Sequence, residues 1–145
     1  MADAGLVDAA VMELLANDAA LAALCPDGVY WDIRPSGSPA PVAFVIVSHF
    51  DYRATPGLDD VTLYERMLYW VVARILATSK VAARQAGARI HELLHGQILD
   101  LSAAGYEAMH FARVDRRADT DVDPVNKATW HYHGGLYELM SYPTT

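Results

Sequence analysis

The segment His91-Glu92-Leu93-Leu94-His95 matches the pattern H-E-x-x-H at every defined position. In zinc hydrolases this spacing works because two imidazoles on one helical face bind the metal while the glutamate activates a water molecule. Here Gly96 ends the predicted helix directly after the second histidine, and no later helix is predicted to supply a third ligand. A zinc-dependent hydrolase is therefore the alternative hypothesis, and the sequence favours a non-catalytic protein.

A second group of histidines lies on predicted strands. His131 and His133 share one strand face by the two-residue period, and His110 on a neighbouring strand is the candidate for a third metal ligand. We interpret His131 and His133 as the outward face of a β-hairpin whose inward face holds Trp130 and Tyr132. No metal and no cofactor are predicted.

Asp119, Asp121 and Asp123 resemble the start of a calcium-binding EF-hand loop. Such a loop needs glycine at its sixth position and glutamate at its twelfth, and this chain has Pro124 and Trp130 there. The pattern is therefore rejected, and only weak calcium binding by a solvated acidic arm remains open. No phosphate-binding glycine loop and no nucleophile-elbow pattern occurs in the sequence.

The charge balance opposes a role in gripping nucleic acid. Eighteen acidic side chains face 11 basic ones, for a net charge of -7, whereas binding to a phosphate backbone needs clustered Lys and Arg. Arg113, Arg116 and Arg117 form a small basic cluster, which we interpret as a solvated surface that is paired with Asp115 and Asp119.

The length and composition are those of one soluble globular domain, predicted to span residues 1–145. Cys25 is the only cysteine, so no intrachain disulfide can form, and its position before Pro26 indicates a half-buried structural thiol. No apolar run has the length needed to span a bilayer, and the amino terminus lacks a basic signal-peptide region. We expect the protein to be made in a bacterial cytoplasm.

Two helices are predicted from apolar spacing. Residues 3–24 carry apolar side chains at the three-four spacing of one helical face, with Asp3 as the cap and a restart at Asn17 and Asp18. Residues 80–95 form the second helix, capped by Ser79 and ended by Gly96.

Strands are predicted at residues 29–31, 42–47, 61–77, 106–116 and 129–141, the last of them bent or bulged at its two adjacent glycines. Helical spacing across 61–77 is the weaker alternative. The order of helix, strands, helix, strands predicts an α+β fold, with a mostly antiparallel sheet packed against two main helices.

Taken in order, these segments resemble the phage tail-completion family, which includes tail-terminator and tail-to-head joining proteins. The resemblance covers nearly the whole chain through order, length and hydrophobic pattern. The late strands follow a long acidic arm that departs from the family pattern. The segments that carry the resemblance are 17–24, 28–30, 39–47, 90–96, 130–133 and 136–139.

The resemblance implies a homo-oligomeric ring of six subunits that ends the tail tube of a long-tailed phage or of a phage-like gene transfer particle. Its partners would be the major tail tube protein and a head-side connector or stopper protein, and DNA would pass through the lumen without specific binding. The expected location is the tail–neck junction of the virion, with no membrane involved. Another small neck or tail component is the second alternative.

A ring built from head-to-tail contacts needs two different complementary patches on each subunit. Residues 49–60 and 117–126 are polar segments that we predict to be a loop and a loop or long hairpin arm. These segments, together with Arg116 directly before the second one, supply the candidate interface residues: His49, Asp51, Tyr52, Arg53, Asp59, Asp60, Arg116, Arg117, Asp119, Asp121 and Asp123.

Overall fold

One five-stranded sheet with helices on one face makes up the computed structural model, which describes residues 3–33, 36–57 and 62–144. The strand order is β1-β2-β3-β5-β4, and only β1 and β2 are parallel. This confirms the predicted α+β class. The elements are α1 (Ala4–Ala16), α2 (Ala19–Leu24), β1 (Val29–Trp31), β2 (Ala43–Pro56), β3 (Thr62–Leu76), α3 (Val81–Leu94), a 3-10 turn (Ser102–Ala104), β4 (Tyr106–Val122) and β5 (Thr129–Pro143).

Helices α1 and α2 begin where the sequence predicts, whereas α3 begins at Val81, with Lys80 and not Ser79 at its N-cap position. Asp3 accepts a hydrogen bond from the backbone N–H of Gly5 at 2.9 Å, and Asp18 caps α2 by accepting from Leu21 N–H at 2.8 Å. The predicted break at Asn17 and Asp18 is therefore confirmed, and it makes α2 a helix of its own. No helix in the described part of the chain is long and apolar enough to cross a bilayer.

The core lies between the helices and one face of the sheet. Odd-numbered residues of β3 and β5 point toward the helices, because paired strands keep their alternation in register. We call this side the helical face and the opposite side the open face. Gly87 of α3 lies so close to β5 that a Cβ there would sit 2.8 Å from His133 Cβ. Fully buried core residues include Val7, Val11, Leu15, Tyr69, Val71, Ala86, Ile90, Tyr137 and Leu139.

The predicted loop at 49–60 is wrong over residues 49–56. β2 continues through this segment and pairs with β3 from His49↔Tyr69 to Pro56↔Thr62, with an irregularity between His49 and Asp51. The strand persists because β3 supplies a backbone partner at each step, which outweighs the weak local preference of the polar residues. Residues 58–61 lie outside the described residues.

The second polar segment, residues 117–126, was predicted to be a loop or a long hairpin arm. The structure shows the hairpin arm. β4 extends to Val122, and residues 117–122 pair with β5 as far as Val122↔Thr129. The expected bulge of β5 at Gly134 and Gly135 is wrong, because the irregularities lie on β4, between Ala108 and His110 and between Arg113 and Asp115. These two bulges decide which β4 side chains reach each face.

Cys25 lies deeper than the sequence predicts. Only 2% of its surface is exposed, and burial raises the pKa of its thiol to about 12, with Asp27 adding to the shift. A neutral buried thiol packs as a small apolar side chain and is a poor nucleophile.

Candidate functional site

A groove of about 630 Å³ lies between α3 and the β4–β5 hairpin. Gly87, Ala88 and Gly134 leave room for it because they carry little or no side chain along the line where α3 crosses β5. Its polar lining comes from three elements, and we call it the basic groove: Arg84, Gln85, His91, Arg113, Arg116 and His133.

The arginines of the basic groove are not neutralised. Within the described residues, Arg84, Arg113 and Arg116 form no ion pair with a carboxylate. Glu92 also lines the groove, and its carboxylate accepts a hydrogen bond from Arg89 Nη1 at 2.8 Å. A chain with a net charge of -7 therefore carries a concave surface of positive potential.

The pKa values of the two groove histidines, His91 and His133, are lowered. Burial lowers the pKa of His91, and the positive charges of Arg113 and of His95, where protonated, lower it further. Burial is also the main cause of the lowered pKa of His133, with Arg116 as the next contribution. Both imidazoles are neutral at pH 7, so the positive charge of the groove belongs to its arginines.

The H-E-x-x-H pattern does not form a complete metal site in the described part of the chain. His95 lies beyond the end of α3, with φ -71° and ψ 123°, and its ring stacks on that of His91 with centroids 4.5 Å apart. The backbone N–H of Arg113 donates to His95 Nδ1 at 3.0 Å. No group of three or more His, Cys, Asp or Glu side chains in this part of the chain is placed to hold a metal ion.

The prediction that His131 and His133 face outward is wrong. Both point to the helical face and are less than 10% exposed, and Trp130 and Tyr132 lie on the open face. His131 is held by Thr120 Oγ1 and the carbonyl of Ala77, each at 3.1 Å. The inward position follows from the register of β5, which the aromatic side chains alone do not reveal.

His110 does not lie beside His131 and His133 as a third metal ligand. It lies on the open face, where its Nε2 is 3.0 Å from Glu138 Oε1. Glu138 also pairs with Arg66, which lowers the pKa of the carboxyl against the opposing effect of burial. The sheet therefore separates His110 from His131 and His133.

The candidate interface residues of β2 are held in place by neighbours. His49 Nε2 lies 2.9 Å from Asp8 of α1, and its ring packs against Trp31 and Tyr69. Asp51 pairs with Arg53 at 2.8 Å. These contacts belong to a paired strand and not to a mobile loop.

Tyr52, the remaining described candidate of β2, is 46% exposed. Partial burial raises the pKa of its hydroxyl, and hydrogen bonding to Glu65 raises it further. Asp59 and Asp60 lie outside the described residues.

The candidates of the second segment divide between the two faces of the sheet. Arg116 lines the basic groove, whereas Arg117 lies over the ring of Trp70 on the open face, 5.7 Å from the centroid. Asp119 and Asp121 are exposed on β4. Asp123 shapes the hairpin turn by accepting from Val125 N–H at 2.8 Å and Asn126 N–H at 3.3 Å.

The predicted pairing of Arg113, Arg116 and Arg117 with Asp115 and Asp119 is wrong for the described residues. The bulge between Arg113 and Asp115 shifts the alternation of β4, so that Arg113 and Arg116 point to the helical face while Asp115 and Asp119 point away.

Part of the open face of the sheet is aromatic. Arg74 lies over the rings of Trp130 and Tyr132, at 4.6 and 4.9 Å from their centroids, a geometry that suits cation–π attraction. Its Nε is buried without a hydrogen-bond partner among the described residues. Beside it, Ile46, Trp70 and Val72 line a shallow cleft of about 240 Å³. Trp70, Val72 and Tyr132 of this face are half-buried.

The chain shares its fold with a protein of a virion, "Virion of native gene transfer agent (GTA) particle". The match has a TM-score of 0.66 at 22% sequence identity and covers 95% of this chain and 96% of that chain. It is among 11 chains of solved structures that match. No family model and no curated protein matches the sequence.

Sequence reasoning missed the basic groove as a site. Arg84 and Gln85 are about 30 residues from Arg113 along the chain, and the packing of α3 on β5 and β4 brings them together. A signal was present in the spacing of Val81, Arg84, Ala88 and His91, which places these residues on one face of α3.

Proposed function

We propose that this chain is a structural, non-catalytic protein of a phage-like virion, and that it forms a ring, expected to be hexameric, which ends the tail tube and joins it to the head. The observation that supports this most strongly is the fold shared with the gene transfer agent virion chain over nearly the full length of both proteins. The resemblance of the sequence segments to tail-completion proteins points to the same role independently.

The surfaces of the chain are compatible with an assembly role. The open face presents half-buried aromatic and apolar side chains, among them Trp70, Val72 and Tyr132, and such surfaces often mark contacts between proteins. The proposed partners are neighbouring copies, the major tail tube protein and a head-side connector or stopper.

The acidic character of the chain suits the passage of DNA. A net charge of -7 gives a lumen made from these subunits little capacity to retain a phosphate backbone by counterion release. We propose that DNA passes through the ring without specific binding. The ring would act at the tail–neck junction after assembly in the bacterial cytoplasm.

The gene can be deleted in the particle-producing host to test this function. We expect particles with heads and tails that do not join, and tail tubes of irregular length, because nothing would stop polymerisation. Expression of the wild-type chain from a plasmid should restore joined particles. Normal particles after deletion would contradict the proposal, and joined particles without a baseplate would favour another tail component.

A further inference from the structure

The edge strand β4 presents three aspartates on its open face, and two arginines, Arg113 and Arg116, on its helical face. Asp115 is paired with Leu136 and points to the open face, whereas Arg116 is paired with Gly135 and points to the helical face. Arg117, Asp119 and Asp121 follow on the open face at alternate positions, so that Asp119 and Asp121 are about 7 Å apart, and Arg117 turns to the ring of Trp70. We call Asp115, Asp119 and Asp121 the acidic row.

The acidic row has no cation partner among the described residues. Asp115 and Asp119 accept only from the backbone N–H of the next residue, each at 2.8 Å. All three side chains are exposed. Their carboxylates are therefore free to accept hydrogen bonds from another molecule.

The basic groove is the complementary surface on the helical face. It offers three arginines without carboxylate partners, and it begins at the N-terminal end of α3, whose first turn contains no acidic residue. The helix dipole adds to the positive potential at that end. Arginine can form two parallel hydrogen bonds to one carboxylate, so three arginines match three aspartates in number and in chemistry.

We propose that the basic groove of one subunit receives the acidic row of the next subunit, a contact that rests on the ring function proposed above. The two surfaces lie on opposite faces of the same sheet, so they cannot meet within one chain. Two different surfaces that point in opposite directions produce head-to-tail contacts between subunits. Such contacts close into a ring when the rotation between neighbouring subunits allows it.

A second copy explains these observations better than nucleic acid does. A chain with a net charge of -7 would repel a phosphate backbone that approached the groove. The acidic row of another subunit supplies exposed carboxylates to which the groove arginines can donate hydrogen bonds.

Charge reversal tests the contact. Arg84→Glu/Arg116→Glu reverses the groove at two exposed positions, and Asp119→Arg/Asp121→Arg reverses the row. Oligomer formation is measured by native mass spectrometry in solution and by electron microscopy on purified tail tubes. Each variant alone should weaken association by more than about a hundredfold, because like charges face each other at every contact.

A mixture of the two variants gives the decisive result. Each reversed surface then meets a complementary surface on the other variant, so an equimolar mixture should form rings in which the variants alternate. Arg84→Lys/Arg116→Lys and Asp119→Glu/Asp121→Glu are the matched controls; they keep the charges and should keep the ring. Circular dichroism confirms that each variant is folded.

The outcomes separate this contact from the function on which it rests. Rings formed by either folded reversal variant alone would overturn the contact and leave the ring function intact. Folded variants that do not assemble even when mixed would also overturn it. A wild-type chain that stays monomeric, both in solution and on tail tubes, would overturn the ring and the contact together.

Discussion

Arg89 on α3 binds Asp18 at the start of α2 through two parallel hydrogen bonds. Nη2 donates to Asp18 Oδ1 at 2.6 Å and Nε donates to Oδ2 at 2.9 Å. The same Oδ2 accepts from Leu21 N–H, so one carboxylate caps α2 and ties it to α3. Hydrogen bonds from Arg89 are the largest cause of the lowered pKa of Asp18.

Asp18→Ala should therefore destabilise the protein. Loss of the helix cap alone costs about 1 kcal/mol, and loss of the arginine contact adds to it. The free energy of unfolding from urea titration measures the effect. Glu92→Gln is the matched control, because it removes the more exposed partner of Arg89 and should change stability by less than about 0.5 kcal/mol. Equal losses for the two variants would contradict the role of Asp18.

Gly134 allows β5 to pass close to β3. A Cβ at this position would lie 2.0 Å from the carbonyl oxygen of Val71 and 2.7 Å from Val72 Cα, both of which are backbone atoms. Gly134→Ala should lower the free energy of unfolding by about 3 kcal/mol, because the strands must separate. Gly37→Ala meets only an ordinary contact of 3.5 Å and serves as the control. A stable Gly134→Ala protein would show that this strand pairing is wrong.

Stability should fall as the pH drops below about 6.5. The pKa values of His91 and His133 are lowered from 6.5 in the folded protein, so the unfolded chain binds protons first and unfolding becomes easier. The loss begins near pH 6.5 and ends once the pH passes the folded pKa values. His91→Gln/His133→Gln should show a shallower loss of unfolding free energy between about pH 7 and pH 5.

His110→Gln is the control for this pH dependence. His110 lies on the open face beside Glu138 and away from the arginines of the groove. In His110→Gln the free energy of unfolding should therefore fall below pH 6.5 as steeply as in the wild-type protein. An unchanged pH profile in the double variant would show that the two groove histidines do not cause the loss.

Removal of metal should leave the protein unchanged. The described residues place no third ligand beside His91 and His95, whose rings stack on each other. We expect substoichiometric zinc by elemental analysis and the same Tm with and without a chelator. One zinc ion per chain, together with a chelator-dependent fall in Tm that is absent in His91→Ala, would instead support the hydrolase alternative.

The sequence predicted correctly those helices and strands that depend on local features of the chain. Helix caps at Asp3 and Asp18 and the β-branched content of β3 predicted elements that the structure confirms. The extension of β2 beyond Val47 was missed, because its polar residues gain strand structure only from pairing with β3. Local propensity contains no information about that partner.

The candidate site depended on features that only register determines. The bulge before Asp115 sends neighbouring charges of β4 to opposite faces, and the same kind of alternation turns His133 inward. A shift of one residue would reverse both results. The basic groove could therefore be recognised only after strand pairing and the position of α3 were known.

Cryo-electron microscopy of the intact particle tests the central claim most directly. The proposed function predicts density for this fold as a closed ring, with six copies expected, at the head-side end of the tail tube and with DNA passing through its centre. A chain that is absent from the particle, or that is found only at the opposite end of the tail, would contradict the account.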